Sequence, residues 1–221
     1  MSYGQNGPQG LQSIKSLGAA SWNGQSNPYA IKSTEATSIF RGDPVYVGTD
    51  GYLHSLAASG AQATTAIVGV FAGCSFTTST GVNPIDPASP GRSYWPGGTV
   101  TLGGLDATGY VIDDPNTIFN IQANNATALT RAGTIGFLCP ISFAIAGNVV
   151  NGISGATVNT AAPVNGLALA TALTAGLGAV ALKILNSNAY PGNNFGINYQ
   201  NFDVLIQNHA YAQRNIVAIP A

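Results

Sequence analysis

The chain has 221 residues, enough for one large domain or two small ones around a real core. Apolar residues make up an ordinary 45%, but only 7% of residues are charged and the formal net charge is −1, where a typical soluble domain carries about 25% charged residues. This excludes a charge-rich disordered chain and, because the seven Lys and Arg are scattered singly, a nucleic-acid binder that needs a clustered basic surface.

Residues 1–38 are rich in Gly, Ser, Asn and Gln, with isolated large apolar side chains at Leu11, Ile14, Leu17, Trp22 and Tyr29. The segment is too sparse to build its own core, so it reads as an extended N-terminal arm whose anchors dock elsewhere. The opening "MSYGQNGPQGLQSIK" has no apolar stretch of the kind a signal peptide requires, and none is expected.

From Phe40 the pattern becomes strand, turn, strand. "FRGDPVYVGTDGYLHSL" contains Arg41-Gly42-Asp43, a tripeptide that adhesion receptors read. It runs straight into the β-branched and aromatic Val45, Tyr46 and Val47, so Gly-Asp-Pro reads as a strand entrance: Gly for an unusual φ, Asp for a local turn, Pro to preset the first strand residue. Asp50-Gly51 between two apolar runs predicts a hairpin. The continuous apolar "AIVGVF" at 66–71 predicts a strand buried on both faces, and "TVTLGGL" at 99–105 alternates as a half-buried strand should. "GYVID" and "TIFNIQ" flank "DPN" at 114–116 as a second expected hairpin. "TIGFL", "VALKIL" (180–185), "FDVLIQ" (202–207) and "NIVAI" (215–219) complete about nine candidate strands.

Two stretches interrupt them: a proline-rich loop at 79–98 holding Tyr94 and Trp95, and a small-residue stretch at 146–178 read as loop plus strand. Residues 134–150 come nearest to a membrane span, but they contain Pro140 and Asn148 and fall short of the roughly 20 apolar residues a helix needs. The expected architecture is mainly β, a β-sandwich or barrel over residues 39–221, with the arm at 1–38 and long loops near 79–98 and 146–178.

The catalytic inventory is thin. His54 and His209, the only histidines, both lie in strand-like contexts and read as hydrogen-bonded structural residues. No G-x-S-x-G, P-loop, H-E-x-x-H or EF-hand motif occurs. Glu35 is the only Glu, so a glycosidase-type pair of positioned carboxylates is not supplied by it alone. Asp113 and Asp114, followed by Pro115 and Asn116, read as turn formers, since Asp side chains accept from backbone N–H groups. Cys74 and Cys139 lie far apart in apolar contexts; two buried free thiols or one bridge both fit. The expectation is a non-enzyme with no metal and no cofactor.

Taken in order, "FRGDPVYVGTDGYL", "AIVGVFAGCSF", "YWPGGTVTLGG", "YVIDDPNTIFNIQAN" and "NNFGINYQNFDVLIQNHAY" resemble virion structural proteins of tailed bacteriophages, of the head-decoration or cement kind. The likeness spans most of residues 30–210, and the strand pair "GDPVYV…DGYL" leading to "VGVFAG" is also similar to the small-barrel decoration proteins. The resemblance implies a protein made in the bacterial host cytoplasm that binds the outside of an assembled capsid, often as a homotrimer. It would clamp neighbouring major capsid subunits, with neither nucleic acid nor membrane as partner. A charge-poor surface suits that role, because interface centres are depleted in charge. Independently of the resemblance, Leu11, Ile14, Leu17, Trp22, Tyr29, Tyr94 and Trp95 are the expected partner contacts, chosen because large apolar and aromatic anchors dominate interface energetics. Two other readings stand beside this one. A carbohydrate-binding or fibre-type β-sandwich would use Trp22, Tyr94 and Trp95 as stacking platforms. A hydrolase would place His54 or His209 in a cleft beside an Asp or Ser.

Overall fold

The computed structural model describes residues 7–18, 23–59, 65–77, 91–98, 101–124, 129–160, 181–187, 193, 195 and 199–212. Trp22, residues 78–90 of the proline-rich loop, residues 161–180 and the expected strand at 215–219 lie outside the described residues. In chain order the strands are β1 (Gln12–Ser16), β2 (Asn27–Ile31), β3 (Ile39–Phe40), β4 (Pro44–Val47), β5 (Leu53–Ser55), β6 (Gly69–Ser75), β7 (Gly91–Arg92) and β8 (Tyr94–Trp95). They continue with β9 (Ala107–Ile112), β10 (Thr117–Gln122), β11 (Leu138–Cys139), β12 (Ile141–Ser142), β13 (Thr157–Val158), β14 (Leu182–Ser187) and β15 (Asn201–Ile206). The protein is mainly β, and no helix among the described residues is long and apolar enough to cross a membrane.

Two antiparallel sheets carry the fold. One has the order β1-β10-β15-β14-β11; the other runs β2-β9-β6-β4-β5, with β7 pairing on β6. Period-two alternation sends Phe119 and Ile121 of β10, Leu182 and Ile184 of β14, and Phe202, Val204 and Ile206 of β15 to one face of the first sheet. There they meet Val70 of β6 and Ile112 of β9 in the core between the sheets, the arrangement of a sandwich.

The second sheet has a core of its own on its other face. Ile31, Val45, Leu53, Phe71, Cys74, Ala107 and Val111, drawn from all five strands of its main path, cluster with Ile39 and Trp95 of the β3-β8 pair. Its two end strands, β2 and β5, approach each other, so the sheet is rolled around this cluster like a small barrel. Strand β6 therefore buries both faces, as its apolar run predicts. A bulge makes this possible: Phe71 pairs with Val111 and Gly73 with Tyr110, leaving Ala72 as the extra residue. The offset turns Phe71 and Cys74, three positions apart, into the same core.

Asp50-Gly51 makes the expected hairpin, with Gly51 at φ 82° and the β4-β5 register set by Val45↔Ser55, Tyr46↔His54 and Val47↔Leu53. Four expectations are corrected. The "DPN" segment is a turn but not a hairpin, because β9 belongs to one sheet and β10 to the other, and the chain changes sheets there. Thr101–Leu105 is not a strand: Leu102–Gly104 forms a 3₁₀ turn in which Gly103 and Gly104 adopt positive φ. Residues 131–136 form turns, and the strand of "TIGFL" begins only at Leu138. The segment 1–38 is not a free arm in its described parts. β1 pairs with β10 and β2 with β9, making them end strands of the two sheets. Its few apolar residues suffice because each strand needs only one buried anchor, Leu11 for the inter-sheet core and Ile31 for the barrel.

Candidate functional site

The residues singled out as partner contacts separate into two groups. Leu11 and Trp95 are corrected to core residues, at 2% and 0% exposure. The Trp95 indole donates to the Glu35 carbonyl at 3.0 Å and meets Phe76 edge-on, with ring centroids 4.9 Å apart. An indole with its N–H satisfied inside the core has nothing to offer a partner. Ile14 on the end strand β1 and Leu17 just after it are exposed. The register slips between Ser13 and Lys15, so Ile14 is the extra residue of a bulge, a device that disrupts the ladder of an edge strand. Tyr29 is half-buried and donates to Asp113 at 2.8 Å, with the exposed Tyr211 hydroxyl 3.0 Å away; burial raises its pKa, with those hydrogen bonds adding to the effect.

Asp113 also accepts from the Asn27 amide at 2.8 and 3.0 Å, joining β2 to the end of β9. Asp114 alone is the turn former, accepting from the Asn116 N–H at 2.9 Å and from the Thr117 hydroxyl.

The Arg-Gly-Asp turn faces inward. Arg41 is exposed but Gly42 and Asp43 are buried. The Asp43 carboxylate accepts from the Phe40 N–H at 2.8 Å and from the Ser154 hydroxyl at 2.5 Å. Burial pushes its pKa up to about 6 against the opposing pull of those bonds. Gly42, at φ 94°, lies under the N-terminal segment: Leu11 N–H donates to its carbonyl, and a Cβ there would meet the Gln9 carbonyl at 2.8 Å. A carboxylate locked this way belongs to the strand entrance.

His54 of β5 sits between two carboxylates, its Nδ1 2.6 Å from Glu35 and its Nε2 3.1 Å from Asp50, with Tyr46 stacked at 5.4 Å. His209 is buried, and its Nδ1 accepts from the Tyr211 N–H at 3.1 Å. Among the described residues no group of three or more His, Cys, Asp and Glu could hold a metal ion. Cys74 and Cys139 are free and buried in different cores, and burial pushes both thiols up to about 12.

The most exposed apolar feature among the described residues lies in the stretch at 146–178 that reads as loop plus strand. Asn148–Ile153 is a tight reversal, closed by Asn148 N–H donating to the Ile153 carbonyl and Gly152 N–H donating to the Asn148 carbonyl, each at 2.8 Å. The Asn148 side chain accepts from Val150 N–H at 2.8 Å, and Gly152 turns at φ 70°. At its tip Val149 is 62% and Val150 92% exposed. The base rests on a parallel pair of rings, Phe40 and Tyr94, whose centroids are 5.3 Å apart. Gly147 and Gly152 allow this approach, since a Cβ at either would run into Phe40 or Ser93. Tyr94, an expected contact, thus supports the exposed valines. The flanking chain is chargeless: residues 132–182 contain no Asp, Glu, Lys, Arg or His. Beside the reversal a cavity of about 380 Å³ is walled by Pro8, Ile145, Ala146, Asn151, Ile153 and Ser154, also without a charged group. "NVVN" carries the same β-branched signal as a strand, which is why the tip was not legible as an exposed turn. No family model, curated protein or solved structure matches the chain.

Proposed function

We propose that this chain is a non-enzymatic decoration protein of a tailed-phage head, binding the outer surface of the assembled shell and stabilising contacts between major capsid subunits. In this reading the contact face is the Val149–Val150 reversal with Tyr94 beneath it, seconded by Ile14 on β1 and Leu17 just after it. The observation that carries it is the rigid presentation of two valines to solvent within a chargeless stretch. Two adjacent exposed valines held out by a tight turn offer a small apolar contact point, the kind of feature a partner can cover. Its lack of charge suits a partner contact that must be fully desolvated. Repetition over a symmetric shell, and association of the decoration protein as a homotrimer, would multiply a weak single contact into avidity.

The supporting points are physical rather than genealogical. The two histidines and the carboxylates examined above are engaged in strand entrances, turns and sheet-edge contacts. The carbohydrate reading loses Trp95, which is buried, and one face of Tyr94, which is taken by Phe40; its third platform, Trp22, lies outside the described residues.

Saturation binding to mature heads lacking the protein tests the proposal. Binding that saturates at a copy number set by the lattice, and is weakened by Val149→Ser with Val150→Ser, is the expected result. Failure of the native protein to bind ends it. Deleting residues 1–38 is not a clean probe, because it removes β1 and β2 from the sheets.

A further inference from the structure

The rolled sheet has a seam. Its end strands β2 and β5 lie side by side without sharing a ladder, so each has an edge that the main path leaves unpaired. Just after β2 the chain turns, Glu35 N–H donating to Lys32, and Glu35 reaches across the seam to His54 on β5. Around Glu35 the contacts converge. Its carboxylate accepts from Thr37 N–H at 2.8 Å, and its carbonyl accepts from the Trp95 indole at 3.0 Å and from Gly98 N–H at 2.8 Å. Through one residue the seam is tied to the β3-β8 lid of the barrel core.

The proton count at His54 is decided by geometry. Both ring nitrogens face carboxylate oxygens, at 2.6 and 3.1 Å. An ionised carboxylate only accepts, and a neutral imidazole has only one N–H. The two bonds coexist only with the ring carrying both protons, or with a proton on one carboxyl. We infer that Glu35, His54 and Asp50 form a proton-loaded latch at the barrel seam: the Nδ1–H···Glu35 bond crosses the seam, Asp50 on the same hairpin holds the second ring proton, and the latch is at full, charge-assisted strength while His54 carries both protons and weakened when it loses one.

Space for the latch is built in. A Cβ at Gly48 would stand 2.8 Å from the His54 ring and 2.7 Å from Asp50. Tyr46 covers one face of the ring from β4. The other charged groups of this wall are committed elsewhere: Asp106 accepts from the Tyr52 hydroxyl and Ser33 N–H, and Lys32 lies over the Tyr52 ring. Asp50 is held below its ordinary range chiefly by the bond from His54.

Asp50, depressed by its bond to His54, contributes above its unfolded range and loses that as pH falls. At full strength the latch keeps two strand edges together and closed to strands of other chains.

The test is ring-nitrogen NMR of His54 with amide exchange, from about pH 5 to about pH 9. With only two histidines, the signals separate through a His209→Gln variant. The expected result is two protonated ring nitrogens on His54 at the acid end. As one proton leaves, the protection factors of the Thr37 and Gly98 amides should fall about tenfold, the scale of the difference between a charge-assisted and a neutral hydrogen bond. In Glu35→Gln, which keeps an acceptor for Thr37 but not the charge, the step should vanish. His54→Gln should give low protection at every pH. A singly protonated His54 ring throughout, or the same step in Glu35→Gln, overturns the latch.

Discussion

The Asp43 carboxylate and the Ser154 hydroxyl lie 2.5 Å apart although 111 residues separate them in the chain. That bond ties the entrance of β4 to the end of the Asn148–Ile153 reversal, where Ser154 N–H also donates to the Arg41 carbonyl. The contact explains why an Arg-Gly-Asp sequence here is a structural corner: its carboxylate is inside.

Asp43 should make the protein less stable at neutral pH than in mild acid. Its pKa is raised by burial from 3.8 to about 6, so the folded chain holds the proton more tightly than the unfolded one. The contribution is fully present below the unfolded value and is lost as pH rises through about 6. At about 1.4 kcal/mol per pH unit, the gap corresponds to about 3 kcal/mol. Asp43→Asn can still accept from Phe40 N–H and can donate to Ser154, so it should flatten this part of the pH profile and match or exceed the native protein at neutral pH. Denaturant melts of both proteins at several pH values decide the matter; a variant weaker at every pH would mean the ionised carboxylate is needed.

Gly69→Ala should destabilise through backbone collision. Gly69 has no unusual φ to protect, but a Cβ there would run into the Ile112 carbonyl and meet the Val111 side chain at 2.7 Å. Both belong to β9, and neither can withdraw without disturbing the β6-β9 ladder. A loss of roughly 1–3 kcal/mol is expected from forced overpacking, read as a lower denaturant midpoint; an unchanged midpoint would mean that β9 shifts freely.

Local chemistry was readable and long-range partnership was not. Asp50-Gly51 specified its hairpin because the turn needs positive φ, and the apolar run before Cys74 marked a doubly buried strand. The turn after Asp113 looked like another hairpin because turn residues carry no information about which sheet the next strand joins. Leu11 and Trp95 read as partner contacts in the sequence although both are buried, because an apolar residue amid Gly and Ser looks the same whether it fills a core or meets a partner. The link between Glu35 and His54 spans 19 positions and a sheet seam, and no motif spacing encodes it.

Gln200 should be replaceable with gain. Its side chain is fully buried, neither amide atom has a hydrogen-bond partner among the described residues, and it follows Tyr199 at the unusual φ of 52°. An unsatisfied buried amide costs about 1–3 kcal/mol. Gln200→Met keeps the length and removes the polar atoms, so thermal melts should rise by the equivalent of about 1 kcal/mol. A lower melting temperature would assign the amide a structural role.

Cys74 and Cys139 should resist thiol reagents in the native protein. Each is buried, in separate cores, and burial pushes each thiol up to about 12, so the reactive thiolate is scarce at neutral pH. Labelling should be slow in buffer and reach two equivalents per chain in denaturant without reductant. Two equivalents within seconds in buffer would mean that both cores open readily.

Val149 and Val150 offer the clearest separation of folding from binding. Serine at both positions removes little buried surface, because the side chains are 62% and 92% exposed. The reversal itself depends on Asn148, Gly152 and the Phe40–Tyr94 stack, which the change leaves intact. Stability should therefore stay within about 0.5 kcal/mol of the native protein, as for surface substitutions away from special features. Occupancy on capsids should drop steeply, because avidity over many sites amplifies a small loss at each one. A drop in melting temperature would instead reveal that the valines pack within the same chain, and unchanged occupancy would move the contact face to Ile14 on β1 and Leu17 just after it.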